Sequence, residues 1–138
     1  MIVIDEYLAM RVVGGDWPAG LPDSEELALP ASRHWRILQR IHAPGSGQIS
    51  QVLAALTPAG RDSLRHPHPE LLQILDPRPL LDDAAAIAAR YGGGLLVAET
   101  LAAGLANGRL LWFGVGRNVG GLLEDAAGDL AVTVHVAT

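Results

Sequence analysis

The sequence contains no cysteine, which excludes disulfides and thiolate metal sites and is compatible with a reducing compartment. It contains no lysine either, so all ten basic residues are arginines, planar forked donors suited to phosphate and carboxylate groups. Long apolar runs are also missing. About half of the 138 residues are apolar (49%), yet no run approaches the roughly 18 to 20 residues needed to cross a bilayer, and no membrane span is expected. The opening Met1-Ile-Val-Ile-Asp5 lacks the basic region, long apolar stretch and small-residue cleavage site of a secretory leader, so the expected location is the cytoplasm. Finally, there is no surplus of positive charge. A net charge of −5 and a pI near 5.4 argue against nucleic-acid affinity from a broad basic face, so any phosphate ligand needs a metal ion or local arginines.

What is present fits one domain over residues 1–138, long enough for one sizeable core but not for two of ordinary size. Short apolar runs alternate with longer amphipathic stretches, which predicts an α/β fold around a mostly parallel sheet. Ile2-Val3-Ile4 reads as a buried first strand ending at Asp5, followed by a helix through Val13 that Gly14-Gly15 stops. The segment from Gly20 to Pro30 reads as a loop with a short extended piece at Leu27 to Leu29. Ser32 is the expected N-cap of a helix in which Trp35, Leu38, Ile41 and His42 form an apolar face and Arg33, Arg36 and Arg40 another. A helix from Gln48 to Leu56 follows, and Thr57-Pro58 has the chemistry to start the next.

Beyond the rigid His66-Pro-His-Pro69 connection, Leu71 to Leu75 is a candidate strand. Asp82 or Asp83 is the expected cap of an alanine-rich helix running to Tyr91 and ended by Gly92-Gly-Gly94. A helix from Leu96 to Asn107, a strand from Leu110 to Phe113, a helix from Asn118 to Asp125 and a strand from Leu130 to Val136 complete the expectation. No repeat or linker is visible.

In an open α/β sheet, ligands sit outside the carboxyl ends of the strands, and Asp5 stands directly after the first one. Taken alone, that aspartate reads as a helix cap. Read with the rest of the chain, Met1-Ile-Val-Ile-Asp5 resembles the opening of PIN-domain proteins of the VapC toxin type, where an apolar strand delivers the first metal-binding aspartate. Gly47-Gln-Ile-Ser50 resembles the turn before their central helices, and Ile74-Leu-Asp-Pro77 through Ala84-Ala-Ala-Ile-Ala-Ala-Arg-Tyr91 their later strand and helix. Ala98-Glu-Thr-Leu-Ala-Ala-Gly-Leu-Ala106 followed by Arg109-Leu-Leu-Trp112 resembles the helix that begins with a catalytic aspartate and feeds the next strand.

The resemblance implies a PIN-like three-layer α/β/α fold with a mostly parallel central sheet flanked by helices. It also implies a metal-dependent endoribonuclease that cleaves RNA phosphodiester bonds, in which three or four carboxylates hold Mg²⁺ or Mn²⁺. The metal would activate water and neutralise charge on the phosphate. Carried over residue by residue, Asp5 matches the first acid, and Glu99 takes the place of the helix-starting aspartate with a reach about 1 Å longer. Asp5 and Glu99 are thus the catalytic and metal-binding candidates. A cognate antitoxin and a homodimer are the partners implied.

The sequence departs from this pattern at two positions. Ser32-Arg-His-Trp-Arg-Ile37 has arginine and histidine where the second acid is expected, and Gly114-Val-Gly-Arg117 replaces the aspartate expected after the strand ending at Phe113. Glu6, directly after Asp5 on a helix, is expected to point elsewhere, and Asp76 before proline reads as a turn residue. Arg33, Arg36 and Arg117 offer phosphate contacts in place of lost metal charge, Arg36 and Arg117 being the RNA-binding candidates; a solvated helix face and a loop arginine are the plainer reading of the same residues. The shortfall of acids opens an alternative, a catalytically impaired PIN-like binding module for a partner protein or RNA.

Two further motifs carry less. Gly114 to Gly120 follows a strand and opens a helix, but its spacing is one residue too long for a dinucleotide-binding turn, and no ribose-binding acid follows. It supports only a third reading, a small nucleotide-binding domain. His66-x-His68-x-Glu70 lies on a proline strap with no other ligand in evident reach and reads as a surface loop. The three tryptophans are scattered, with Trp35 and Trp112 in apolar patterns typical of core or interface, and they form no visible platform for bases.

Overall fold

Successive side chains of a strand point to opposite faces, so an unbroken apolar strand requires cover on both. The structure, a computed structural model describing residues 1–116 and 119–137, supplies that cover for β1 (Ile2–Ile4). Ile2 and Ile4 enter a core shared with α1 (Glu6–Val13), α2 (Ala31–His42), α3 (Gln48–Ala55) and α4 (Pro58–Arg65). Val3 enters a second core on the other face, shared with α5 (Leu81–Tyr91), α6 (Leu95–Ala106) and α7 (Gly121–Asp129). The result is the expected three-layer α/β/α arrangement.

The remaining strands are β2 (Leu27–Pro30), β3 (Gln73–Leu75), β4 (Leu110–Phe113) and β5 (Thr133–Val136), laid in the order β3-β2-β1-β4-β5. Every pairing is parallel, so the sheet is more uniform than the mostly parallel one expected. The chain moves outward from β1 to β3, then returns to the other side of β1 for β4 and β5. This reversal makes the carboxyl ends of β1 and β4 the topological switch point, where open α/β sheets form their ligand crevices. Asp5 and Gly114 follow those two strands directly. Among the described residues no helix is long and apolar enough to cross a membrane.

Several helix ends follow local sequence chemistry. The Thr57 side chain accepts the Gly60 N–H at 3.0 Å, with Pro58 at the first helical position of α4. Gly92 ends α5 with a φ of 82°, a left-handed conformation that glycine adopts without steric cost.

Other ends differ from expectation. Pro30, not Ser32, precedes α2, and Ser32 falls inside its first turn. The expected caps Asp82 and Asp83 lie in the first turn of α5, because a 3₁₀ turn at Arg78–Leu80 already leads into that helix. Carboxylates there still favour the positive end of the helix. The helix expected over 118–125 is α7, Gly121–Asp129, while Asn118 is outside the described residues. The last strand starts at Thr133 because Ala131, with φ of 55°, interrupts extended backbone before it.

The largest difference concerns α2. Its inward residues are Arg33 and Ile37, one turn apart, whereas Trp35 is 59% exposed. The face expected to be charged and solvated therefore carries a buried arginine, and the tryptophan expected in the core or an interface stands in solvent. Hydrophobic periodicity places an arginine outward by default. Here a partner on α1 draws it inward.

Candidate functional site

Asp5 follows β1 with extended backbone and caps α1, its carboxylate accepting the Leu8 N–H at 2.9 Å. The Gly114 N–H also donates to it, joining the ends of β1 and β4 through one side chain. Its solvent exposure is only 1%. Burial raises its pKa to about 6, the neighbouring Glu6 charge adds to the rise, and the two backbone donors and Arg33 oppose it. The expected capping role is thus present, in a setting that disfavours the charged form.

Glu6 points away from Asp5, toward α2. Each of its oxygens receives a guanidinium at 2.8 Å, Oε2 from Arg33 and Oε1 from Arg36. Arg33 is 2% exposed; its Nε donates to Thr100 Oγ1 at 2.8 Å, and its guanidinium carbon lies 5.3 Å from the centre of the Phe113 ring. A buried guanidinium with a counter-charge, a neutral acceptor and an aromatic face is satisfied on every side. Arg36 differs in being partly exposed, with one end on Glu6 and the rest of the side chain reaching toward solvent.

Glu99 is buried in α6 and accepts the Ser32 N–H of α2 at 3.2 Å. Residues 99 and 100 thus meet residues 32 and 33, fastening α6 to the start of α2. Asp5 and Glu99 both lie beside the start of α2, Asp5 through the charge of Arg33 and Glu99 through Ser32. Glu6, Arg33 and Thr100 complete the cluster. The close spacing of Arg33 and Arg36 was the sequence signal for it, but nothing in the sequence assigned them Glu6 as a partner.

Among the described residues no group of three or more histidine, aspartate or glutamate side chains is placed to hold a metal ion. The donors at the cluster fit a hard divalent cation poorly. Protein N–H groups already engage Asp5 and Glu99, both oxygens of Glu6 carry arginines, and a fixed guanidinium positive charge sits among them.

Packing at Gly114 adds to this. A β-carbon there would lie 2.9 Å from Tyr7 Cβ, 3.2 Å from the Leu8 nitrogen and 3.4 Å from Asp5 Oδ1, so any side chain would have to displace α1. Of the two RNA-binding candidates, Arg36 borders this cluster and Arg117 lies outside the described residues. His66, His68 and Glu70 are exposed in a loop, as expected, with the Glu70 N–H donating to His68 Nδ1.

Immediately outside the cluster is a cavity of about 380 Å³, within the usual range for small-molecule sites. It lies between the outer face of α2 and the first turns of α3 and α6. Arg36 and Arg40 line it together with Trp35, and among the described residues no acidic side chain does. This cavity was not legible in the sequence, since it depends on which way α2 faces. No protein-family profile, curated protein or solved structure matches the chain.

Proposed function

We propose that this protein is a PIN-like domain that binds RNA without cleaving it. The observation that carries the reading is the state of the carboxylates: those assigned to metal by the family resemblance are engaged by protein donors, with Arg33 fixed among them. A permanent guanidinium supplies the positive charge that a PIN-type site takes from its metal, but it cannot activate water as a metal does. RNA affinity then depends on local arginines, as an acidic chain requires. Arg36 and Arg40 face an open cavity and Trp35 offers an exposed ring, the combination of phosphate contact and base stacking used for single strands.

The test is to incubate a labelled single-stranded RNA with the protein in Mn²⁺ and in EDTA. The reading expects intact RNA and comparable binding in both. The second reading, a VapC-like ribonuclease toxin with Asp5 and Glu99 on Mg²⁺ or Mn²⁺, a cognate antitoxin and a homodimeric state, is favoured by the position of Asp5 at the switch point. It expects Mn²⁺-dependent cleavage abolished by Asp5→Ala.

A further inference from the structure

The cavity beside α2 has features that narrow its ligand. Its wall includes the starts of two helices, Gly47-Gln48-Ile49 of α3 and Leu95-Leu96 of α6. The N-caps of both are glycines, Gly47 and Gly94, and neither helix has a side-chain cap. Neither glycine is required by conformation, since both have φ near −73° or −97° with extended ψ, and a β-carbon at either would meet nothing within 4 Å. A serine or aspartate would fit and would satisfy the first-turn N–H groups, yet these caps leave them open.

Two further observations point to a ligand independently of the helix starts. Ser32 Oγ and Gln48 Oε1 are buried atoms without a hydrogen-bond partner among the described residues, and both residues line this cavity. Buried polar atoms in native proteins are nearly always paired. The cavity also holds Arg40, which has no carboxylate within ion-pair distance among the described residues, beside the partly exposed Arg36.

We propose that this cavity is a site for the phosphomonoester of a ribonucleotide, either free or at the end of an RNA strand. Two guanidinium groups and two open helix starts, with no acid, suit the nearly double negative charge of a terminal phosphate better than the single charge of an internal diester. Ribose hydroxyls supply the partners that Ser32 Oγ and Gln48 Oε1 lack. The exposed Trp35 ring at the edge stacks on the base. This deepens the RNA-binding reading, and it requires neither metal nor cleavage.

The experiment is a titration in EDTA with three probes: a short RNA bearing a terminal phosphate, the same RNA with hydroxyl ends, and a nucleoside monophosphate. It is repeated with Arg40→Ala and Gly47→Asp; in the latter a carboxylate caps α3 itself and occupies the phosphate position. The expected result is at least tenfold preference for the phosphorylated RNA over its hydroxyl form. That preference is lost in Arg40→Ala, and also in Gly47→Asp even though its melting temperature rises. Competition by the monophosphate shows that the nucleotide alone suffices; its failure to compete assigns the site to RNA ends.

Equal binding of the two RNAs overturns the phosphate site while leaving RNA binding in place. So does an undiminished preference in Gly47→Asp. Binding of the monophosphate without either RNA retains the site and overturns the RNA reading. If none of the three probes binds, both are overturned.

Discussion

Three arginines follow one another along α2 at intervals of about one turn, and the first and the last have opposite fates. Arg33 is closed in by Glu6, Thr100 and Phe113, whereas Arg40 lines an open cavity without a counter-charge among the described residues, and Arg36 belongs to both places. The difference teaches how to separate structural charge from available charge. A guanidinium whose partners lie within the fold contributes to the arrangement of the helices, and one that faces a cavity free of acids can hold a ligand. In the closed cluster Glu6 is ion-paired with Arg33 and Arg36 while backbone N–H groups engage Asp5 and Glu99, leaving little for a metal ion to gain. In the open cavity Arg40 faces space, and Arg36 reaches it from its pair with Glu6.

The largest expected effect comes from breaking the closed side. Glu6→Gln leaves Arg33 buried without its counter-charge, which should cost about 3 to 5 kcal/mol in urea unfolding. Against a typical total of about 5 to 15 kcal/mol, the variant would be close to unfolding. A near-neutral result would mean that the cluster is not the fixed element described.

Next comes Asp5, whose folded-state pKa of about 6 lies above the ordinary 3.8. Stability contributed by its protonated form is fully present below pH 3.8 and is lost as pH rises through about 6, and the gap corresponds to roughly 3 kcal/mol. Asp5→Asn keeps an oxygen that can accept the Leu8 N–H and removes the charge. Its stability should exceed the wild type at pH 8 and converge with it near pH 4. Equal stabilities at both pH values would show that Asp5 is not held in a desolvated setting.

The open side should respond in the reverse manner, with binding affected and stability spared. Trp35→Ala removes a ring that is 59% exposed, so unfolding should shift by no more than about 0.5 kcal/mol. Affinity for single-stranded RNA should fall by about 1 to 3 kcal/mol, read by fluorescence anisotropy. Smallest of all is the salt dependence. Neutralisation by Arg36 and Arg40 of about two negative charges on one terminal phosphate predicts a slope near −1.4 in log K against log salt, whereas a broad electrostatic face would give a far steeper one.

The fold was legible in the sequence because its strands are short apolar runs and its helices have conventional stops. Ile2-Val3-Ile4 and Leu110 to Phe113 could hardly be anything but covered strands, and Thr57-Pro58 and Gly92 marked helix ends by local chemistry alone. The site was legible only in part. That Asp5 follows a buried strand and caps a helix is a local property, readable from Ile2-Val3-Ile4-Asp5. The burial of Arg33 is not legible because it depends on Glu6, 27 residues away, and on Thr100 in the middle of α6, 67 residues away. Turning that one residue inward also turned Trp35 outward, and with it went the view of the cavity. Helical periodicity ranks faces by hydrophobicity and does not register a pairing between charges on different elements.

The most direct test of the account is the fate of a labelled single-stranded RNA held with the protein in Mn²⁺, followed on a denaturing gel, with binding measured in parallel with and without EDTA. A non-cleaving RNA-binding domain leaves the RNA full-length throughout, with an affinity that EDTA does not change. Shortened products that require Mn²⁺ and vanish in Asp5→Ala would contradict it.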